Sequence, residues 1–267
     1  MTGPHTIEEH LRARRDTGRK LLVPYLSGGL GDDWVQVVEA VAAAGADAVE
    51  IGIPFSDPVA DGPVIAAAGH AAVASGAGLE TAVDTVSTLR ARGHQQPILA
   101  MGYLNPLLAP GFEDAVARLR AGGVDGLIVP DLPAGEERQL ERLVAAAGLG
   151  IAFLVTPNTA PVRLEAAIRA STAFLYAVPL YGVTGQRERV AATTLPFLDR
   201  VRTTVASRLP VAVGFGVSLP EHVRRLAPAV DGIIVGSAIV AALDEGGPAR
   251  VRALVADLAR ATEPRTA

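Results

Sequence analysis

The stretch DGLIVPDLPAGEERQLERLVAAAGLGIAFLVT (residues 125–156) decides the fold. It opens with a short β-branched apolar run, DGLIVPD (125–131), and closes with another, GIAFLVT (150–156). The segment between them, AGEERQLERLVAAAG, has the apolar spacing of a helix and stops at a glycine. Both runs are continuously apolar, so each reads as a strand buried on both faces, which is what a parallel sheet covered by helices requires.

The same unit recurs along the chain. Further apolar runs are LLVPYLS (21–27), ADAVEIGI (46–53), QPILAMGY (96–103), AFLYAVPL (173–180), PVAVGFGV (210–217) and DGIIVGSA (231–238), which makes eight in all. Helical segments such as DDWVQVVEAVAAAGA, GFEDAVARLRAGG and LPEHVRRLAPAV separate them. Eight strand–helix units predict an α/β protein of the (β/α)8 TIM barrel class. The expected organisation is a single barrel domain over residues 1–267 with a short N-terminal helical extension. An open doubly wound sheet is the alternative topology for the same pattern.

Composition narrows the function. The 267 residues are 49% hydrophobic but only 4% aromatic, so the core is built from Ala, Val, Leu and Ile. The net charge is −4 and the basic residues are scattered among acidic ones, which leaves no electrostatic footprint for nucleic acid. LVAAAGLGIAFLV (143–155), the longest nearly uncharged apolar run, is too short to cross a bilayer. The N-terminus carries charges where a secretory segment would be apolar, and the chain has no cysteine, so a cytoplasmic protein is expected. Lys20 is the only lysine and precedes the first strand, which excludes a barrel-lining Schiff base. His5, His10, His70, His94 and His222 show no ligand spacing and read as surface or helix residues, so no metal is expected.

Against that apolar background, VEIGIPFSDPVADGP (49–63) is anomalous, because it places Glu50 inside a strand and Asp57 and Asp61 just beyond it. Alternation puts Val49, Ile51 and Ile53 on one face and Ala48, Glu50 and Gly52 on the other. With the bulky face toward the helices, Glu50 points into the barrel among small neighbours. Burial there would raise its pKa toward the range of a neutral-pH acid/base; an inward Glu neutralised by an arginine is the structural alternative. Asp57 and Asp61 fall in the loop after the strand, where barrel enzymes build their sites, although turn or cap roles would also suit them. At the other end of the chain, VGFGVS (213–218) and IVGSA (234–238) put glycines and serines at consecutive strand ends, the common phosphate position of such barrels, unless they serve tight turns alone. YGVTGQRER, after the sixth strand, reads as a lid hinge or an ordinary surface loop.

Taken together, VEIGIPFSDPVADGP, GYLNP (102–106), VPDLP (129–133), GVTG (182–185), GFGVS (214–218) and GSAIV (236–240) closely resemble the tryptophan synthase α chain family, in order through nearly the whole chain. The resemblance implies a (β/α)8 lyase that cleaves indole-3-glycerol phosphate to indole and glyceraldehyde 3-phosphate with neither cofactor nor metal in this chain. By the match, Glu50 is the acid/base and Asp61 holds the indole N–H. Tyr25, Tyr103, Asp131 and Tyr176 surround the indole, with supporting roles as alternatives for Asp131 and Tyr176. Thr184 and Gly185 belong to a closing loop. Gly216, Gly236 and Ser237 bind phosphate beside Phe215. Asp57 and Pro58 touch a β-chain partner that holds pyridoxal phosphate, in an assembly of two α and two β chains. SGGLGDD (27–33), where the family usually has TAGDP, and Pro179, where a serine is usual, depart from the pattern and raise the reading of a free-standing lyase; a subunit that only regulates a partner is the remaining alternative.

Overall fold

Strands that are apolar on both faces have to be covered on both, and a sheet rolled inside a ring of helices meets that need. The computed structural model, which describes residues 6–29, 34–179, 187–214 and 216–263, has this architecture. Helix α1 (Ile7–Asp16) leads into β1 (Leu21–Ser27), α2 (Trp34–Ala43), β2 (Val49–Gly52), the pair α3 (Pro63–Ala74) and α4 (Leu79–Ala91), and β3 (Ile98–Met101). There follow α5 (Leu104–Leu108), α6 (Phe112–Ala121), β4 (Gly126–Ile128), α7 (Arg138–Ala146), β5 (Gly150–Ala152), β6 (Leu154–Val155) and α8 (Pro161–Ala170). The chain continues through β7 (Leu175–Ala177), α9 (Arg187–Val205), β8 (Val211–Val213), α10 (Pro220–Leu226), β9 (Gly232–Val235) and α11 (Ser237–Thr262).

The strand order is β5-β4-β3-β2-β1-β9-β8-β7-β6, with parallel pairings. Its two ends, β5 and β6, are halves of one apolar run, so the order closes on itself as a barrel. That run was expected to be one strand. It divides at Phe153, whose N–H donates to the Ser171 hydroxyl at 3.2 Å while its carbonyl accepts the Tyr176 N–H at 3.0 Å.

Period-two alternation sorts the side chains into two layers. Leu22, Val49, Ile51, Ile98, Leu127 and Ile233 face outward into the main apolar layer beneath the helices. Leu21, Val23, Ala48, Leu99, Ile128 and Ile234 face inward and fill the lower barrel. Helix α1 closes the bottom. Thr6 and Glu9 form a capping box at its start, and Ile7 and Leu11, one turn apart, are buried in the inward cluster.

A repeated hydrogen-bond pair ties the bottom of the barrel. Asp47 donates its N–H to the Leu22 carbonyl at 2.8 Å and accepts the Leu22 N–H on Oδ2 at 2.9 Å. Asp125 does the same with Ile98, Thr172 with Ile151, and Asp231 with Val211. Each even-numbered apolar run, counted as eight, is thereby latched to the run before it. Asp47 is the most heavily engaged, since Arg14 and Arg19 also reach it at 2.9 and 3.0 Å and its side chain is 2% exposed. Removing it strands a buried N–H and two guanidinium groups. Asp47→Ala is therefore expected to lower the unfolding free energy by about 3 kcal/mol and Thr172→Val by about 1 kcal/mol. Urea unfolding checks both, and an Asp47→Ala midpoint equal to that of the unchanged protein would refute the role of the latch.

Candidate active site

Glu50 sits at the top of β2, with Tyr25 of β1 and Leu99 of β3 as its register partners on either side. Room for this layer comes from glycine: a Cβ on Gly52 would collide with the Tyr25 hydroxyl, and one on Gly214 would collide with that of Tyr176. Glu50 is 1% exposed, and neither carboxyl oxygen has a hydrogen-bond partner among the described residues. Among the described residues no arginine neutralises it. Burial first, and the nearby Asp61 charge second, push its pKa up to about 8.

Asp61 lies on the loop after β2. That loop makes its own turns, Val59 N–H to the Asp57 carbonyl at 2.9 Å and Asp61 N–H to the Pro58 carbonyl at 3.0 Å. Tyr103 then pins it. Its hydroxyl accepts the Ala60 N–H at 3.0 Å and hydrogen-bonds the Asp61 carboxylate, while its ring lies against Phe55 with centroids 5.5 Å apart. Burial pushes the Asp61 pKa up to about 6, against the lowering effect of the Tyr103 bond. The two carboxyls are thus separated, with Glu50 holding its proton to higher pH than Asp61. Environments that separate two carboxyl pKa values in this way divide the work of acid and base.

The two groups open on one cavity at the C-terminal ends of the strands. Tyr25 and Tyr176 also line it, and Gly216, Gly236 and Ser237 stand at its wall. Gly216 has φ +74°, a left-handed conformation suited to glycine, and α11 begins at Gly236 without a side-chain cap, so its first N–H groups are free to meet an anion. Tyr103 and Asp131 are not on the cavity wall. Tyr103 supports Asp61, and Asp131, which is exposed, accepts the Leu104 N–H at 3.0 Å and so caps α5. Asp57 and Pro58 lie outside it on the loop, and Thr184, Gly185 and Phe215 fall outside the described residues. The wall also includes Met101 and Ile234, which the inward parity of their strands could have identified, Gly62 and Val217, which lie inside the quoted motifs VEIGIPFSDPVADGP and GFGVS without having been singled out, and Ile65, for which no sequence signal stood out. Among the described residues no group of three His, Cys, Asp or Glu is placed to hold a metal ion.

Carboxyls, glycines and a helix start gathered where the strands end and the loops begin follow the habit of (β/α)8-barrel enzymes, and this chain is one. A sequence model of the family described as tryptophan synthase alpha chain matches residues 11–264. The tryptophan synthase alpha chain of Chloroflexus aggregans is 41% identical over 263 residues, covering 96% of this chain and 98% of that relative. That of Halorhodospira halophila is 42% identical over 267 residues, covering 97% of each. A solved tryptophan synthase from Mycobacterium tuberculosis superposes with a TM-score of 0.86 at 36% identity, over 97% of this chain and 98% of that one. The chain belongs to the tryptophan synthase alpha chain family, whose reaction is the lyase cleavage of indole-3-glycerol phosphate.

The raised pKa of Glu50 has a cost in stability. The unfolded chain releases this proton near the ordinary value of about 4.3, whereas the folded state keeps it to about 8. The folded state thus binds more protons across that window, and stability falls as pH rises through it. Glu50→Gln removes the effect. Scanning calorimetry is expected to show the variant melting several degrees above the unchanged protein near pH 8.5 and level with it near pH 4. A difference that does not change with pH would sink the assignment.

Proposed function

We propose that this chain is a cytoplasmic lyase that performs the reverse aldol cleavage of indole-3-glycerol phosphate on its own side chains, as the alpha subunit of a tryptophan synthase. The observation that carries the proposal is the buried, unpartnered Glu50 carboxyl facing a cavity that Asp61 shares. Indole and its glycerol arm occupy the region between Tyr25 and Tyr176, and the phosphate lies against Gly216, Gly236 and Ser237. Phe215, Thr184 and Gly185 keep the roles that the family pattern gives them.

Protonated Glu50 delivers its proton to C3 of the indole ring. The positive charge that develops at the ring nitrogen is met by ionised Asp61, which accepts the N–H. Glu50, now a carboxylate, removes the proton from the glycerol hydroxyl next to the ring. The new carbonyl forms as the carbon–carbon bond breaks, and its electron pair returns to the ring. Indole and an aldehyde leave, and Glu50 again holds one proton. Protonation at C3 makes the ring the electron sink, so cleavage proceeds without an imine.

The outer edge of the site suits a partner. Of the six large apolar residues exposed among the described residues, Val59, Val64, Leu108, Val162 and Leu219 lie in loops that follow strands, or in or beside the short helix or first helical turn there. Val59 adjoins Asp57 and Pro58. We assign this rim to a β chain, which carries the pyridoxal phosphate, in an assembly of two α and two β chains.

Indole release from indole-3-glycerol phosphate by the purified chain, alone and with its β chain, tests the proposal. Stimulation by the β chain is expected, and a fast rate that the β chain leaves unchanged would favour a free-standing lyase. Glu50→Gln should lower kcat by about 10² or more, and Asp61→Asn should also impair turnover. Near-normal rates in both variants would overturn the division of roles. In the unchanged protein the rate should fall below about pH 6, as Asp61 gains a proton, and above about pH 8, as Glu50 loses one. Leu108→Glu, placed on the exposed rim, should leave the rate of the isolated chain intact and abolish stimulation; full stimulation would remove α5 from the docking face.

A further inference from the structure

The turn after β8 brings Gly216 to the cavity wall and runs through Val217 and Ser218 into α10. Gly216 at φ +74° has no side chain to fix its own direction, so its neighbours must do so. Val217 is one anchor, buried in the main apolar layer. Beyond it the helix start offers little. The cap residue of α10 is Leu219, which has no acceptor, and the first helical residue is Pro220, which has no N–H.

His222 fills this gap. It is the third residue of α10, where a helical side chain leans back toward the N-terminus, and its Nδ1 accepts the Ser218 N–H at 3.3 Å. The arrangement is a capping box displaced by one residue, with the third side chain reaching the N–H before the cap and not that of the cap itself.

We propose that His222 is a positioning residue for the substrate phosphate. By holding the Ser218 N–H it fixes the peptide that follows Val217, and so keeps the Gly216 backbone turned to the cavity. His222 acts through the turn and does not touch the phosphate. The proposal rests on the assignment of Gly216, Gly236 and Ser237 to that group.

The test measures kcat and KM for indole-3-glycerol phosphate, together with inhibition by inorganic phosphate, in the unchanged protein and in His222→Ala, His222→Asn and His222→Gln. The Asn Oδ1 is one bond from Cγ, as is Nδ1, and keeps the acceptor in place; Gln carries its oxygen one bond too far. Ala and Gln are expected to raise KM and the phosphate inhibition constant about fivefold, the worth of one hydrogen bond, with kcat within about twofold. Asn should restore both. Gln retains a polar side chain of similar reach, so the comparison stands even where the Ala variant folds poorly. KM and phosphate inhibition unchanged in Ala and Gln would overturn the role, as would Asn behaving like Gln. A loss of kcat without a rise in KM would likewise assign His222 to the fold alone. Phosphate that fails to compete in the unchanged protein would instead remove the phosphate assignment, and this proposal with it.

Discussion

The site depends on a carboxyl group held in an apolar space with nothing to bond to. Glu50 could have been satisfied by one arginine across the barrel, and its burial would then have been ordinary. No such partner stands near it among the described residues, so desolvation is the main cause of its raised pKa. Ionising the carboxyl there is unfavourable, which raises its pKa. Asp61 reinforces this: its negative charge is the second cause of the raised Glu50 pKa. In the proposed mechanism, the acid is thus kept an acid partly by the ion that stabilises the charge it creates.

The two ends of the barrel treat the same kind of residue in opposite ways. At the bottom, Asp47, Asp125 and Asp231 each bond an N–H in the first two residues of a neighbouring strand, and Arg14, Arg19 and Arg90 lie against the first two of these carboxylates. At the top, Glu50 has no hydrogen-bond partner among the described residues and Asp61 has a phenol. Closing the lower barrel with α1 and fully bonded carboxylates leaves the upper barrel free to hold a strained charge arrangement. Stability lost at the top is offset from below, the division of labour expected of a barrel whose chemistry lies at one face.

Much of this was legible in the sequence, and what was not has physical reasons. The alternation in ADAVEIGI needs only the two-residue period of a strand to turn Glu50 inward, and Met101 and Ile234 obey the same parity, although nothing polar drew notice to them. The break at Phe153 was invisible because the residues around it, GIAFLV, are all apolar or glycine; there the N–H bonds a hydroxyl at Ser171, eighteen residues away. Asp131 looks like Asp61 in a string of letters, yet it caps α5, which only the fold brings beside it. Asp47 is one letter at the start of the run ADAVEIGI, and nothing in that run shows that Arg14 and Arg19 will reach it. His222 reads as an ordinary helix residue, since its meaning lies in the lack of other caps around it.

The loop that ends at Asp61 also links the chemistry to the exterior through a short path. Val59, 75% exposed, is two residues from Asp61, and Ala60 between them is bonded to the Tyr103 hydroxyl. Tyr103 is in turn the cap residue of α5, the helix that carries exposed Leu108 and is held at its first N–H by Asp131. One phenol oxygen therefore joins the rim, the loop backbone and the Asp61 carboxylate. A partner that binds one arrangement of this loop better than another would change the hydrogen bond that lowers the Asp61 pKa, and with it the balance between the two carboxyls. Coupling between docking and turnover then requires no rearrangement of the barrel, only a small displacement at Tyr103.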